Sequence, residues 1–261
     1  SDRYEYIYPN VEFNKEFGET NLPGSISLNS SLFQKQFDTN KTKQSLITDI
    51  IYTSDTSFND RGLSSDFKLL FKNPNIREKT GSKNQSSTNT KLLTKLMYTM
   101  SYPLKKESEF YNSFLKPKLS LRYSPNNTKN LSNEDRRLDI SNISSINRLG
   151  ISDGVEGGQS ITTGLEYSLR DKTGEEKISL NLSQVLRDKA NPDLPKNSTL
   201  NNKYSDIIGN IKFDLFDNLN FEYDFMVDNN IDKLNYNSID ANLTVNNFIT
   251  TFQYLEEDGE V

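Results

Sequence analysis

The sequence predicts an all-β chain, an antiparallel up-and-down sheet of about 12 strands forming an incomplete segment of a transmembrane β-barrel. Three observations predict it. The first is strict alternation in residues 207–254, where Ile207, Gly209, Ile211, Phe213 and Leu215 share one parity and Asn210, Lys212 and Asp214 the other. Leu219, Phe221, Tyr223, Phe225 and Val227 repeat it against Asn220, Glu222, Asp224 and Asp228. Period two means an extended strand with one apolar and one hydrated face, and runs near ten residues suit strands that cross a bilayer. The second observation is that such runs recur along the whole chain. The third is that the links between them alternate between short and long, as in outer-membrane barrels with short turns at one end and longer loops at the other.

The runs follow in order. Tyr4, Tyr6 and Tyr8 lead into Val11, Phe13 and Phe17, and Ile26 and Leu28 open a second run toward Phe37. The third holds Leu46, Ile50 and Tyr52, the fourth Leu63, Phe67, Leu69 and Phe71, and the fifth Leu92, Leu96, Tyr98, Met100 and Tyr102. Leu115, Leu119, Leu121 and Tyr123 alternate with Lys116, Lys118 and Arg122 in the sixth. Ile161, Leu165, Tyr167 and Leu169 form the seventh, and Ile178, Leu180 and Leu182 the eighth. The pair at 207–227 makes nine and ten, Ile239 to Val245 eleven, and Phe248, Phe252 and Tyr254 twelve. Links at 18–23, 55–60, 171–175, 217–218 and 246–247 are short and rich in turn formers. Those at 73–90, 125–159 and 188–203 read as long polar loops, and 103–113 breaks the alternation by being longer than its place requires.

Composition removes whole classes of function. With no Cys and no His, the chain lacks thiol chemistry, the Ser-His-Asp arrangement and the common zinc sites, so an enzyme is disfavoured and no cofactor is expected. Aromatic residues at 11% argue against wholesale disorder. Acids and bases are mixed to a net charge of −5 without a basic block carrying aromatics, which disfavours a nucleic-acid partner. No apolar run reaches the roughly 18 residues of a membrane helix.

The most specific text is Asn147-Arg148-Leu149-Gly150, then Asp153-Gly154, Gly157-Gly158 and Ile161-Thr162-Thr163-Gly164-Leu165. It resembles the central signature of the lipopolysaccharide-assembly outer-membrane β-barrel family, also called the LPS transport or organic solvent tolerance family. Leu115-Lys116-Pro117, Tyr123-Ser124-Pro125, Leu182-Ser183-Gln184 and Tyr204-Ser205-Asp206 are similar in their flanking places. Gly154 stands where a basic residue commonly follows the loop Asp. The resemblance implies that residues 1–261 are a single segment of a larger barrel, without the periplasmic jelly-roll and the terminal strands. It further implies insertion of lipopolysaccharide into the outer leaflet of a Gram-negative outer membrane. The partners it implies are lipopolysaccharide, a lipoprotein plug inside the barrel, outer-membrane lipid, and a periplasmic LPS-transport bridge reached through the missing N-terminal domain.

Roles follow for single residues. Lys116, Lys118, Arg122, Glu166, Arg170, Lys212, Asp214, Glu222 and Asp224 are expected to face the lumen, and Ile211, Phe213, Leu215, Leu219, Phe221, Tyr223 and Phe225 lipid. Tyr102, Tyr123 and Phe216 stand at run ends, where an aromatic girdle would place them. The glycines of 125–159 suit a loop folded back into a lumen. There Asn147, Arg148, Gly150, Asp153, Gly154 and Gly158 are expected to pin the loop or touch the plug. Asp135-Arg136-Arg137 reads as a solvated turn or a contact for lipid phosphates. Two other readings stay open: a different porin or uptake channel, and a surface-displayed β-rich binding module.

Overall fold

The computed structural model describes residues 4–18, 23–37, 41–80, 85–216, 218–246 and 248–257, with backbone alone at 4, 5, 80, 85–87, 215 and 216. Among them one antiparallel meander runs through β1 (Tyr4–Phe17), β2 (Gly24–Phe37), β3 (Lys41–Ser54), β5 (Ser64–Thr80), β7 (Leu93–Ser101) and β9 (Tyr111–Ser124). It continues through β10 (Gly158–Asp171), β11 (Glu176–Arg187), β12 (Ile207–Phe216), β13 (Leu219–Val227), β14 (Leu234–Val245) and β15 (Phe248–Glu257). Three small strands pair beside this path: β4 (Ser57–Phe58) and β6 (Gln85–Thr90) on β5, and β8 (Leu104–Glu107) on β9. The twelve runs read from alternation fall, in order, on the twelve strands of the path. Among the described residues β1 and β15 do not pair, so the sheet is open.

Two of the supposed loops are mostly strand. Along 73–90, β5 keeps its pairing with β3 up to Lys41↔Thr80, and β6 returns against it from Gln85 to Thr90. Their polar side chains misled the reading because both faces of this extension are wet, which erases alternation without removing the ladder's hydrogen bonds. Likewise Leu104–Glu107 pairs with Asn112–Leu115 and lengthens the hairpin in the link at 103–113.

Register fixes the two faces, because residues directly opposite share one. Asp49↔Lys72, Met97↔Arg122, Arg122↔Ser160, Ser160↔Arg187, Asn181↔Asn210, Lys212↔Glu222 and Glu222↔Asp240 trace a polar face across the sheet. The opposite face carries Ile50, Phe71, Leu96, Tyr98, Leu121, Tyr123, Ile161, Phe213 and Leu243, and no layer of the described residues covers it: these residues are 37–48% exposed. Gly209 lies on this face opposite Phe225, and a Cβ there would stand 2.1 Å from the Phe225 ring. The glycine is required so that the aromatic ring can lie across its neighbouring strand.

The short turns hold themselves. Asp171 Oδ1 accepts from the amides of Thr173 and Glu175 at 2.9 and 3.0 Å, with Gly174 at φ +94°. Residues 217 and 247 of the expected links at 217–218 and 246–247, and most of the link at 18–23, lie outside the described residues.

Candidate functional site: a charged seat for a folded loop

The fully buried apolar residues lie on the polar face, under segments 125–157 and 188–206. Leu131, Leu138, Ile143, Leu149 and Ile151 of the first segment meet Leu194 and Leu200 of the second over a floor of Val185, Ile208 and Met226. Beside them Ile146 and Val155 pack on Leu70, Leu93 and Met97. Sequence reading missed this floor, although Leu69-Leu70-Phe71, Leu96-Met97-Tyr98 and Phe225-Met226-Val227 all break the alternation with an apolar residue out of phase. Such a break marks a covered patch on a face that is otherwise wet.

At the centre is Glu156, 4% exposed, surrounded by cations from the loop and from three strands. Arg148 grips it with two bonds, Nε donating to Oε2 at 2.8 Å and Nη2 to Oε1. Arg187 of β11 donates from Nη1 to Oε1, and from Nη2 to the Gly157 carbonyl at 2.8 Å. Lys95 of β7 stands 3.8 Å from Oε2. Arg148 also reaches Thr162 and Ser160 of β10, each at 3.2 Å. Arg122 of β9 donates to Thr162 Oγ1 at 2.9 Å and to the carbonyls of Ile143 and Ser145 at 2.9 and 2.7 Å. One carboxylate therefore pairs with three buried cations, and Arg122 lies beside them as a fourth. Burial alone would raise the Glu156 carboxyl, but Arg148 and Lys95, with Arg187 behind them, hold it well below the ordinary carboxylate range.

Two outer ties flank the centre. Lys72 of β5 donates to Asp49 Oδ2 at 2.6 Å and to the Ser152 carbonyl at 2.9 Å. Asp153 accepts from Lys129 at 2.9 and 3.0 Å, with Lys43 at 4.0 Å. Although partly buried, Asp153 is held below its ordinary value by Lys129 and Lys43. Asn147 closes its own turn, exchanging bonds with the amide and carbonyl of Ile151 at 3.1 and 3.0 Å, and Gly150 follows at φ +59°. Gly154 packs where a Cβ would meet Lys129 at 3.2 Å, and Gly158, at φ +85°, opens β10. Thus the contacts of Arg148, Asn147 and Asp153 shown here are pins within the chain. Glu156, Arg187, Lys95, Lys72 and Asp49 went unnamed in the sequence reading because each looks like an ordinary strand or loop charge until the loop is folded.

The remaining expected residues divide by depth. Arg122 lies under the loop, whereas Lys116, Lys118, Glu166 and Arg170 stand nearer the short turns and stay open, with Lys116 3.6 Å from Glu166 and Arg170 3.3 Å from Glu176. Lys212 pairs with Glu222 at 2.8 Å, Asn210 bridges Glu222 and Asp224, and Asp214 accepts from Asn220 at 3.2 Å. Asp135, Arg136 and Arg137 are engaged by Asn197, Glu134 and Glu257 respectively. Tyr102 and Tyr123 are 40% and 48% exposed, and the side chains of Leu215 and Phe216 lie outside the described residues. The polar face is thus filled at its loop end and open at its turn end.

This arrangement defines an antiparallel meander with one uncovered apolar face and a polar face closed over by its own loops. Among curated proteins nothing matches the chain. The model of the LPS transport system D family matches residues 69–260, most of the chain. The chain belongs to that family of transport and assembly proteins, and membership ties it to LPS transport at the outer membrane.

Proposed function

We propose that this chain forms part of the wall of a transmembrane β-barrel in the outer membrane, through which lipopolysaccharide is inserted into the outer leaflet. The observation that carries the reading is the division of faces. Along the strands of the path one side is apolar and, among the described residues, uncovered, while the other side holds charges and folded loops. From Ile161 to Leu169 the apolar stripe of β10 covers eight residue steps, roughly 27 Å along the strand, enough for the roughly 25 Å apolar band of such barrels. In water an apolar sheet face of this size with open edges would drive association, whereas lipid satisfies it. Charges such as Lys118, Glu166, Lys212 and Glu222 then line a hydrated lumen that accepts the sugar part of the lipid. The seated loop caps that lumen at the loop end, leaving a cup open toward the short turns. A plug lipoprotein would meet the lumen from that side, where the polar face is free.

The test is collision accessibility of nitroxides placed singly along β10, β11 and β12 of the intact protein in lipid vesicles. Positions 161, 165, 211 and 213 are expected to favour dissolved oxygen, and 166, 181, 210 and 212 a water-soluble nickel chelate. Uniform accessibility, or the opposite phase, removes the membrane reading.

A further inference from the structure

Beyond the lumen, the outward face of one corner of the sheet has its own chemistry. On β2 and β3 the last apolar residues of this face are Leu32 and Leu46, in a row with Asn75 of β5, whose own apolar residues end at Phe71. Above that row the strands continue, and the same face changes character. The next row is Gln34↔Gln44↔Arg77↔Thr88, and the one after it Gln36↔Thr42↔Lys79↔Ser86. The amides and hydroxyls are tied to each other, Gln44 to Gln34 and Thr42 to Gln36, each at 2.7 Å. Arg77 and Lys79 are exposed, and neither makes an ion pair among the described residues. Glu78 points to the other face, where Lys41 and Lys43 hold it at 3.5 and 3.8 Å. On the outward face of these four strands above that row there is no carboxylate among the described residues. In a chain of net charge −5, such a surface is out of character.

We infer that Arg77 and Lys79 form an outward-facing docking surface for the phosphates of outer-leaflet lipid. This rests on the membrane reading above and adds to it a place and a ligand chemistry. Height supports it. Arg77 stands two residues above the row of Leu32 and Leu46 and Lys79 four, about 7 and 13 Å along the strand, or about 5 and 10 Å in height for strands tilted about 40°. The polar layer of a leaflet adds about 5–8 Å beyond the hydrocarbon, so the first cation falls at headgroup level and the second just beyond it, on a side chain long enough to reach back. A planar guanidinium binds phosphate bidentately, and the amides of Gln34 and Gln44 in its own row supply neutral groups suited to sugar hydroxyls. The occupant is lipid-borne because the surface lies on the same face as the lipid-facing stripe, directly above Leu32 and Leu46, and is too open to enclose a free ion.

The experiment compares the intact protein with its Arg77→Gln/Lys79→Gln variant, titrated in mild detergent with purified lipopolysaccharide and with the same lipid dephosphorylated. Each cation near an anionic lipid surface is worth roughly fivefold in association. The variant is therefore expected to bind lipopolysaccharide about tenfold or more weakly at low salt, the gap closing at high salt. Wild type and variant are expected to bind the dephosphorylated lipid alike, and millimolar inorganic phosphate to displace nothing. Unchanged affinity of the variant, an equal loss with the dephosphorylated lipid, or displacement by inorganic phosphate each overturns the inference. Such failure leaves the alternation of nitroxide accessibility on β10, β11 and β12 intact, whereas failure of the membrane reading abolishes it.

Discussion

Replacing Glu156 by Gln removes the one carboxylate that Arg148, Arg187 and Lys95 share, while keeping the size of the side chain. The amide offers one acceptor where the carboxylate offered two, and its own N–H groups face guanidinium donors. Four cations then remain at 4% exposure or less with no acid among them. Breaking a buried pair by removing one partner costs about 3–5 kcal/mol, because the other partner is left charged and dry. That corresponds to roughly two to three and a half orders of magnitude in the ratio of seated to released loop. The strands keep their ladders, so the loss should be local, an opening of 125–157 from an otherwise intact sheet.

Hydrogen exchange on the intact protein reads this directly. The amides of Leu131, Ile143 and Gly157 donate within the seated segment, to Asp193 O, Asp139 O and Thr128 Oγ1. Their exchange should accelerate by about the factor above, while amides in the middle of β10 remain protected. Combining Glu156→Gln with Arg148→Met should cost less than the sum of the two single changes, since they act on one contact. If loop amides in Glu156→Gln exchange at the wild-type rate, the seat is held by its apolar floor alone and the electrostatic argument is wrong.

Four further outcomes are expected. The Glu156 carboxyl is held low in the folded chain, so its stabilisation is complete above the ordinary glutamate range and is lost only as pH falls through the lower folded value. Loop protection followed in acid should accordingly persist where a free glutamate is half-protonated, and a midpoint at the ordinary value would contradict it. Gly209→Val pushes a Cβ into the Phe225 ring and should lower thermal stability by about 1–3 kcal/mol, with partial recovery when Phe225→Ala makes room. Phe213→Arg should cost about 2–4 kcal/mol in unfolding from a bilayer, against little for Lys212→Gln on the other face. Lys72→Met breaks the bond to Ser152 O and leaves Asp49 half-buried without its cation, so exchange near Ser152 should quicken while β3–β5 amides hold.

The meander was legible because period-two alternation depends on nothing but the two sides of a strand having different surroundings. Where that condition fails, legibility fails with it. Residues 73–90 are polar on both sides, so β6 and the upper half of β5 read as loop. The seat was only half legible for a different reason. Arg148 and Gly158 stood out through the resemblance and the glycine pattern, but Arg187 and Lys95, which share Glu156 with Arg148, lie on strands far from it along the chain. A charge on a wet face looks the same whether it meets water or a folded loop. What distinguishes the two is the neighbouring apolar residue out of phase, such as Met97 beside Arg122 or Val185 beside Arg187.

That coincidence of out-of-phase apolar residues and unmatched cations has a physical cause. A loop that must remain on a hydrated face needs apolar burial to gain free energy there, yet apolar burial alone is non-directional and fixes no register. Glu156 supplies what burial lacks: its two oxygens accept from Arg148 of the loop and Arg187 of β11, so only one placement of the loop satisfies both. Buried ion pairs seldom add net stability over apolar side chains of the same size, and their use as a register device is better attested. Here the two contributions are separated in space, with Leu138, Ile143 and Leu149 over Ile208 and Met226 on one side and the Glu156 cluster on the other. A loop held by either one alone would slide or lift; held by both, it closes one end of the polar face and leaves Lys118, Glu166, Lys212 and Glu222 open at the other.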